Sequence, residues 1–187
     1  MRFVIEHLEP ELSEWLFIEY LNSARIVGRQ RLLITNVKKK SDFSRLSRIA
    51  RVERKRAREL FKPDEVIVLD LCAKRKLSKA DLSDKQAVVV GGILGNDPPL
   101  GRTKELLTKS LRGAVVRNLG KHQFSIDGAV KVAKLVSDGE PLGKVPVQQG
   151  VEIKINKNYS TFLPYAFPLV KGKPMISREL VKYLKKH

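Results

Sequence analysis

Two periodicities of apolar and polar positions alternate along the chain. Short β-branched or alternating runs fall at Arg2–Glu6 (RFVIE), Arg31–Val37 (RLLITNV), Glu65–Leu71 (EVIVLDL), Ala87–Val90 (AVVV) and Gly113–Asn118 (GAVVRN), and these predict strands. Helical spacing appears between them. Glu11–Val27 places Leu12, Trp15, Leu16, Ile18, Leu21 and Ile26 near one face, so Trp15 is expected in the core. Ser41–Phe61 carries Leu46, Ile49, Ala50, Ala57 and Leu60 as an inward stripe, Arg102–Leu111 reads as a further helix, and Ser125 reads as the N-cap of a helix ending near Val136. Leu77–Asp84 is a polar connection. Strands alternating with helices imply an α/β fold with a mostly parallel sheet and helices on both faces. In such sheets ligands sit outside the carboxyl ends of the strands, so the loops after the third, fourth and fifth predicted strands should gather at one crevice. The last fifty residues are less regular: Val151–Ile155 alternates like an edge strand, Pro164, Pro168 and Pro174 break the stretch beyond it, and Ser177–Lys186 is a short basic helix. This tail is expected to pack on the crevice or to reach toward a partner.

The stretch that organises the chain is Val88–Glu105, VVVGGILGNDPPLGRTKE. A buried strand runs into Gly91, Gly92 and Gly95, and Pro98 and Pro99 stiffen the loop's exit. Glycines at these positions let a ligand approach the backbone closely, although a glycine pair after a strand is also an ordinary turn. Neither the GxGxxG spacing of a dinucleotide fingerprint nor the GxxxxGK[ST] of a P-loop is present, so phosphate binding is not indicated.

Length and composition narrow the classes. At 187 residues the chain suits one domain, 1–187, with a basic helical segment at about 38–61 and a C-terminal extension from about 138. No long apolar segment exists, and charges enter too early in MRFVIEHLEPE for a signal peptide, which predicts a soluble cytoplasmic protein with no membrane partner. The single cysteine, Cys72, excludes an internal disulfide, and the scattered His7, His122 and His187 offer no metal-ligand spacing, so no metal is expected. Charge alters the picture most. The net charge of +17, with 37 bases against 20 acids, calls for a polyanionic partner, nucleic acid or ribosome before membrane. Lys38, Lys39, Lys40, Arg45, Arg48, Arg51, Arg54, Lys55, Arg56 and Arg58 concentrate it against Asp42 and Glu53 alone, and all of them except Arg56 are candidate nucleic-acid contacts. Against this background Glu6, Glu9, Glu11, Glu14 and Glu19 form an acidic island whose only nearby base is Arg2. Helix-dipole preference covers Glu11 and Glu14 but not Glu6 or Glu9.

At GGILGNDPPLGRTKEL the chain resembles the SPOUT-superfamily methyltransferases related to the fungal SPOUT-type protein arginine methyltransferase that acts on a small-subunit ribosomal protein. The resemblance extends to IEHLEPELSEWLFIEY, VLDLCA, VVRNLGKHQFSIDGAV and, more weakly, NKNYSTFLPYAF, and it leaves out Lys38–Arg58 and Asp138–Val147. It implies a SPOUT-type fold with a C-terminal trefoil knot and S-adenosylmethionine bound in a bent form. By position, the cofactor would be held by Asp70, by Gly91, Gly92, Ile93, Leu94 and Gly95, and by Leu119, Gly120, Gln123, Phe124, Ser125 and Ile126. Leu94, Phe124 and Ile126 would pack on the adenine faces.

If the methyl acceptor is an arginine, carboxylates must orient a cation beside a cationic cofactor, and Glu6, Glu9, Glu19 and Asp97 are the candidates. Asp97 and Arg102 also have a simpler reading as a pair that fixes the loop. His7 and His122 read as structural hydrogen-bonders. The alternative is an rRNA or tRNA methyltransferase, in which Arg102, Lys104 or Arg117 would hold phosphates. A third reading is a non-enzymatic basic ribosome-binding module. The superfamily allows a monomer or a homodimer, and a self-contained acidic island would let a monomer work alone.

Overall fold

The computed structural model describes residues 1–186; His187 lies outside them. Its framework is a six-stranded, wholly parallel sheet built from β1 (Arg2–His7), β2 (Leu32–Thr35), β3 (Arg51–Val52), β4 (Val66–Leu69), β5 (Ala87–Gly92) and β6 (Val115–Arg117), in the order β3-β2-β1-β5-β4-β6. Alternation along each strand sends side chains to two cores. Phe3, Ile5, Ile34, Val88 and Val90 face the helices α1 (Glu14–Val27) and α5 (Ile126–Ser137). Val4, Leu33, Val66, Val68 and Val89 face the opposite side, where Ala57, Phe61, Leu107 and Leu111 cover them. Both faces are therefore dry, as a parallel sheet requires.

Helix starts follow the capping rule. Ser13, Ser125 and Ser177 accept from the backbone N–H of Leu16, Gly128 and Leu180 and open α1, α5 and the C-terminal helix α6 (Arg178–Leu184).

Two expectations fail here. The basic stretch is not one helix from Ser41 to Phe61: it breaks into α2 (Lys40–Leu46), the edge strand β3 and the single turn α3 (Ala57–Leu60). Sheet pairing overrides helical periodicity, because the free edge of β2 takes Glu53 N–H on the Ile34 carbonyl, and the chain beyond it takes Asn36 N–H on the Lys55 carbonyl. The prolines also fail to break the tail. β7 (Val147–Lys154) pairs antiparallel with β8 (Ser160–Val170), which contains Pro164 and Pro168, and the short β9 (Lys173–Pro174) completes a second sheet. Pro164 falls at the β-bulge, where the register skips between Gln149 and Val151 and no ladder N–H is needed. The first helical turn of the 102–111 stretch forms α4 (Arg102–Leu106) and continues as a 3-10 turn at Thr108–Ser110.

The tail packs on the crevice, as one of the two expected arrangements. Ile153, Leu163 and Phe167 form a third core with Trp15, Tyr165, Val181 and Leu184, and the Ala166 N–H donates to the Gln123 carbonyl at 2.8 Å.

Candidate active site

The crevice lies at the carboxyl ends of β4, β5 and β6. Its walls are Leu69–Cys72 after β4, Val90 to Thr103 after β5, and Leu119 to Ile126 after β6, and the space they enclose is about 950 Å³ including its mouth. Of the residues predicted to hold a cofactor, Asp70, Gly91, Ile93, Leu94, Gly95, Leu119, Gln123, Phe124, Ser125 and Ile126 line it. Gly92 and Gly120 do not. Gly92 turns back into the core, where an added Cβ would stand 2.1 Å from the Tyr20 hydroxyl, and its carbonyl accepts from Leu8 N–H at 3.2 Å. Gly120 supplies a left-handed turn with φ of 104° whose N–H donates to the Asn118 side chain.

The loop after β5 is fastened from several directions. Glu9 accepts from Leu94 N–H at 3.0 Å and from both terminal nitrogens of Arg102 at 3.1 Å. Tyr165, re-aimed by the bulge in β8, donates to the Gly95 carbonyl at 2.8 Å, and Gln123 donates to the Asn96 carbonyl at 3.2 Å. Gly95 is a glycine for a reason of space: a Cβ there would come within 2.1 Å of the Gln123 amide nitrogen and 2.6 Å of the Tyr165 ring. Asp70, 4% exposed, spends its oxygens on Cys72 N–H at 2.8 Å and on the Thr108 hydroxyl at 2.6 Å, so it holds the β4 loop in place.

The glutamates predicted as one acidic island are dispersed, which corrects that expectation. Glu6 is fully buried and reaches Ala57 N–H at 2.6 Å and the Thr35 hydroxyl at 3.3 Å; its second oxygen has no hydrogen bond, with Arg56 Nε 4.0 Å away. Burial raises its pKa, against the lowering effects of these neighbours. Glu19 lies between α1 and α5, accepting from Trp15 Nε1 at 2.6 Å and Ile126 N–H at 2.8 Å. Burial, with the nearby Asp127 carboxylate, pushes Glu19 up to about 8. Neither carboxylate lines the crevice. Asp97 is exposed on the loop and makes no hydrogen bond or ion pair among the described residues; Arg102 pairs with Glu9 instead. Glu9 alone of the predicted acids bonds the crevice wall while staying partly exposed, and it also lines a neighbouring groove with His7, Asp42, Lys38, Lys39 and Arg56.

Over residues 2–187 the chain matches the model of the SFM1-like family, described as protein arginine N-methyltransferase SFM1-like. The chain belongs to this family. It is 30% identical over 202 aligned residues to the protein arginine N-methyltransferase SFM1 of Saccharomyces cerevisiae, an alignment spanning 100% of this chain and 95% of that protein. Crystal structures of the yeast arginine methyltransferase SFM1 complexed with SAH and with SAM superpose on it with TM-scores of 0.91 and 0.90, at 30% and 31% identity, covering 98% and 99% of this chain and 94% and 90% of theirs. A dual specific Trm10 of Thermococcus kodakaraensis shares the fold with a TM-score of 0.61 at 18% identity over 75% of this chain and 94% of its own. The SPOUT-type fold predicted from the sequence is thus the fold of an SFM1-like methyltransferase family.

The crevice of this SFM1-like chain suits S-adenosylmethionine. Leu69, Ile93, Leu94, Leu119, Phe124, Ile126 and Ala129 give an apolar lining for a purine, and Arg102 supplies a cation. Thr103, His122, Cys72 and Tyr165 also border the crevice or its loop, and residue-by-residue reading missed them. Thr103 and His122 had a usable signal, adjacency to predicted residues. Tyr165 had only the weaker part of the resemblance, NKNYSTFLPYAF, since its role depends on a bulge seventy residues downstream. Among the described residues no group of His, Cys, Asp and Glu could hold a metal ion, and no helix is long and apolar enough to cross a membrane.

The predicted nucleic-acid contacts divide into two sets. Lys38 and Arg54 bond each other's backbone carbonyls, Lys39 pairs with Glu11 at 2.7 Å, and Arg45 pairs with Glu14 at 2.5 Å while lying 3.8 Å over the Phe17 ring. Lys40, Arg48, Arg51, Lys55 and Arg58 are exposed, and their side chains make no hydrogen bond or ion pair among the described residues.

Proposed function

We propose that this chain transfers a methyl group from S-adenosylmethionine to an arginine of a ribosome-associated protein. The observation that carries the reading is Glu9, a carboxylate at the crevice wall that already holds a guanidinium with two parallel N–H···O bonds of 3.1 Å. The likeness to the yeast arginine methyltransferase supports it across the whole chain.

When bound, the cofactor supplies an electrophilic methyl group on a sulfonium. The chain's own residues do the rest. The Glu9 groove receives the arginine, orients one nitrogen for in-line attack and offsets the charge of a cation approaching a cation. The loop clamps at Leu94, Gly95 and Asn96 keep the crevice formed, and the apolar lining excludes water. The SPOUT resemblance would add a C-terminal trefoil knot to this frame. The exposed bases Arg48, Arg51, Lys55 and Arg58 would rest on ribosomal RNA beside the protein target, and the enzyme would work in the cytoplasm with its substrate particle.

Those same bases favour a second reading, methylation of rRNA or tRNA. One experiment separates the two: incorporation of labelled methyl into ribosomes, followed by separate protease and ribonuclease digestion. The proposal expects label released by protease and recovered as methylarginine. Release by ribonuclease alone would establish the RNA reading, and no incorporation together with no cofactor binding would leave a ribosome-binding module.

A further inference from the structure

Arg102 stands in the wall between two concavities. It lines the cofactor crevice with Leu94, whose carbonyl accepts from its Nη1 at 3.4 Å, whereas Glu9, its charged partner, lines a groove with His7 and Asp42 and with the bases Lys38, Lys39 and Arg56. The pair meets fork on fork, with the arginine side chain 34% and the glutamate 16% exposed, so neither is locked in the core.

Charge makes this pair unlike a simple clamp. Among the described residues lining the crevice, Arg102 is the only Lys or Arg. The only carboxylate there, Asp70, has its oxygens engaged by Cys72 and Thr108. S-adenosylmethionine brings a carboxylate of its own on the methionyl half, and a carboxylate leaving water needs a cation or several donors. Arg102 is therefore the one side chain of the lining with the charge to receive it.

We propose that Arg102 has two partners in turn: Glu9 in the free enzyme and the methionyl carboxylate once the cofactor is bound. In leaving, it hands Glu9 to the guanidinium of the substrate. This rests on the reading of the chain as an arginine methyltransferase. Pairing is complete only after the exchange. Each carboxylate then holds one guanidinium, Glu9 the substrate's and the cofactor's that of Arg102. Without it the cofactor carboxylate lacks a cation, and Glu9, the acid at the crevice wall, stays occupied by Arg102. The planar fork of arginine serves both positions, because either carboxylate accepts it bidentately. Binding is ordered as a result, with cofactor before arginine, since Arg102 fills the substrate's seat until it is drawn away.

The test is calorimetric binding of S-adenosylhomocysteine and of methylthioadenosine, which lacks the amino-acid half, to the full-length protein. Arg102→Gln should weaken S-adenosylhomocysteine by about 10- to 100-fold and leave methylthioadenosine within about 2-fold. Arg102→Lys, which keeps the charge but not the fork, should fall between, and its ratio of the two affinities decides the matter if the glutamine variant does not fold. Glu9→Gln keeps an oxygen for Leu94 N–H and frees Arg102, so it should bind S-adenosylhomocysteine at least as tightly as the wild type. Equal weakening of both ligands by Arg102→Gln would mean that the residue only shapes the loop and would overturn the proposal. So would unchanged S-adenosylhomocysteine affinity in that variant, or weaker binding by Glu9→Gln. A methyl acceptor other than arginine would count against the proposed function and not against the ligand ratio, so the two failures are distinguishable.

Discussion

Glu9 and Glu19 stand ten residues apart in the same acidic stretch and end in opposite circumstances. Glu19 is 3% exposed between α1 and α5, and both of its oxygens are consumed by Trp15 and the Ile126 N–H. Glu9 sits past the end of β1, where the chain leaves the sheet, and its carboxylate reaches the β5 loop, Arg102 and an open groove. The first carboxylate builds the start of α5, and so fixes Ser125 and Ile126 at the crevice. On the proposed reading the second meets the substrate arginine. Residue type and neighbourhood in sequence are the same; burial and the direction of the backbone separate structure from chemistry.

The comparison can be broken by substitution, and the largest effect is expected at the buried member. Glu19→Ala leaves two donors without partners beside Asp127, and should cost about 3 kcal/mol of unfolding free energy in denaturant titration. Glu19 also predicts a pH dependence. Its folded pKa of about 8 lies above the ordinary 4.5, so between those values the folded state retains protons that the unfolded chain releases. Stability should therefore fall as pH rises through that window, and Glu19→Gln should flatten the fall.

Smaller effects belong to the loop that Glu9 fastens. Gly95→Ala forces a methyl group against the Tyr165 ring and Gln123, and should weaken S-adenosylhomocysteine by about 10-fold in calorimetry. Tyr165→Phe removes one hydrogen bond to the Gly95 carbonyl and should cost about 1 kcal/mol in cofactor binding. Replacing Arg48, Arg51, Lys55 and Arg58 together by Gln should leave the melting free energy within about 0.5 kcal/mol. The same change should reduce the salt dependence of ribosome binding, measured by co-sedimentation.

Much of this arrangement is legible along the chain. The β-branched runs identify β1, β2, β4, β5 and β6, and the glycine loop with the Ser125 cap marks two walls of the crevice from the residues alone. The parts that are not legible depend on contacts distant in sequence. Leu46, Ala50 and Ala57 are buried as their spacing suggests, yet the stretch is not one helix, since no Gly or Pro announces that β2 has an edge to fill. Pro164 reads as a breaker because the bulge that accommodates it is set by its pairing with β7. The separation of Glu6, Glu9 and Glu19 is equally hidden: a strand residue, a loop residue and a helix residue look alike as a run of acids. Arg102 and Asp97 are close enough in sequence to suggest a pair, whereas the partner chosen lies 93 residues away in Glu9.

The most direct test of the account is single-turnover methyl transfer to an arginine-containing acceptor by Glu9→Gln, with cofactor affinity measured on the same protein. A loss of about 100-fold in the transfer rate, with S-adenosylhomocysteine bound at least as tightly as by the wild type, is the predicted result. Transfer at the wild-type rate would contradict it, because Glu9 would then be one more structural glutamate like Glu19.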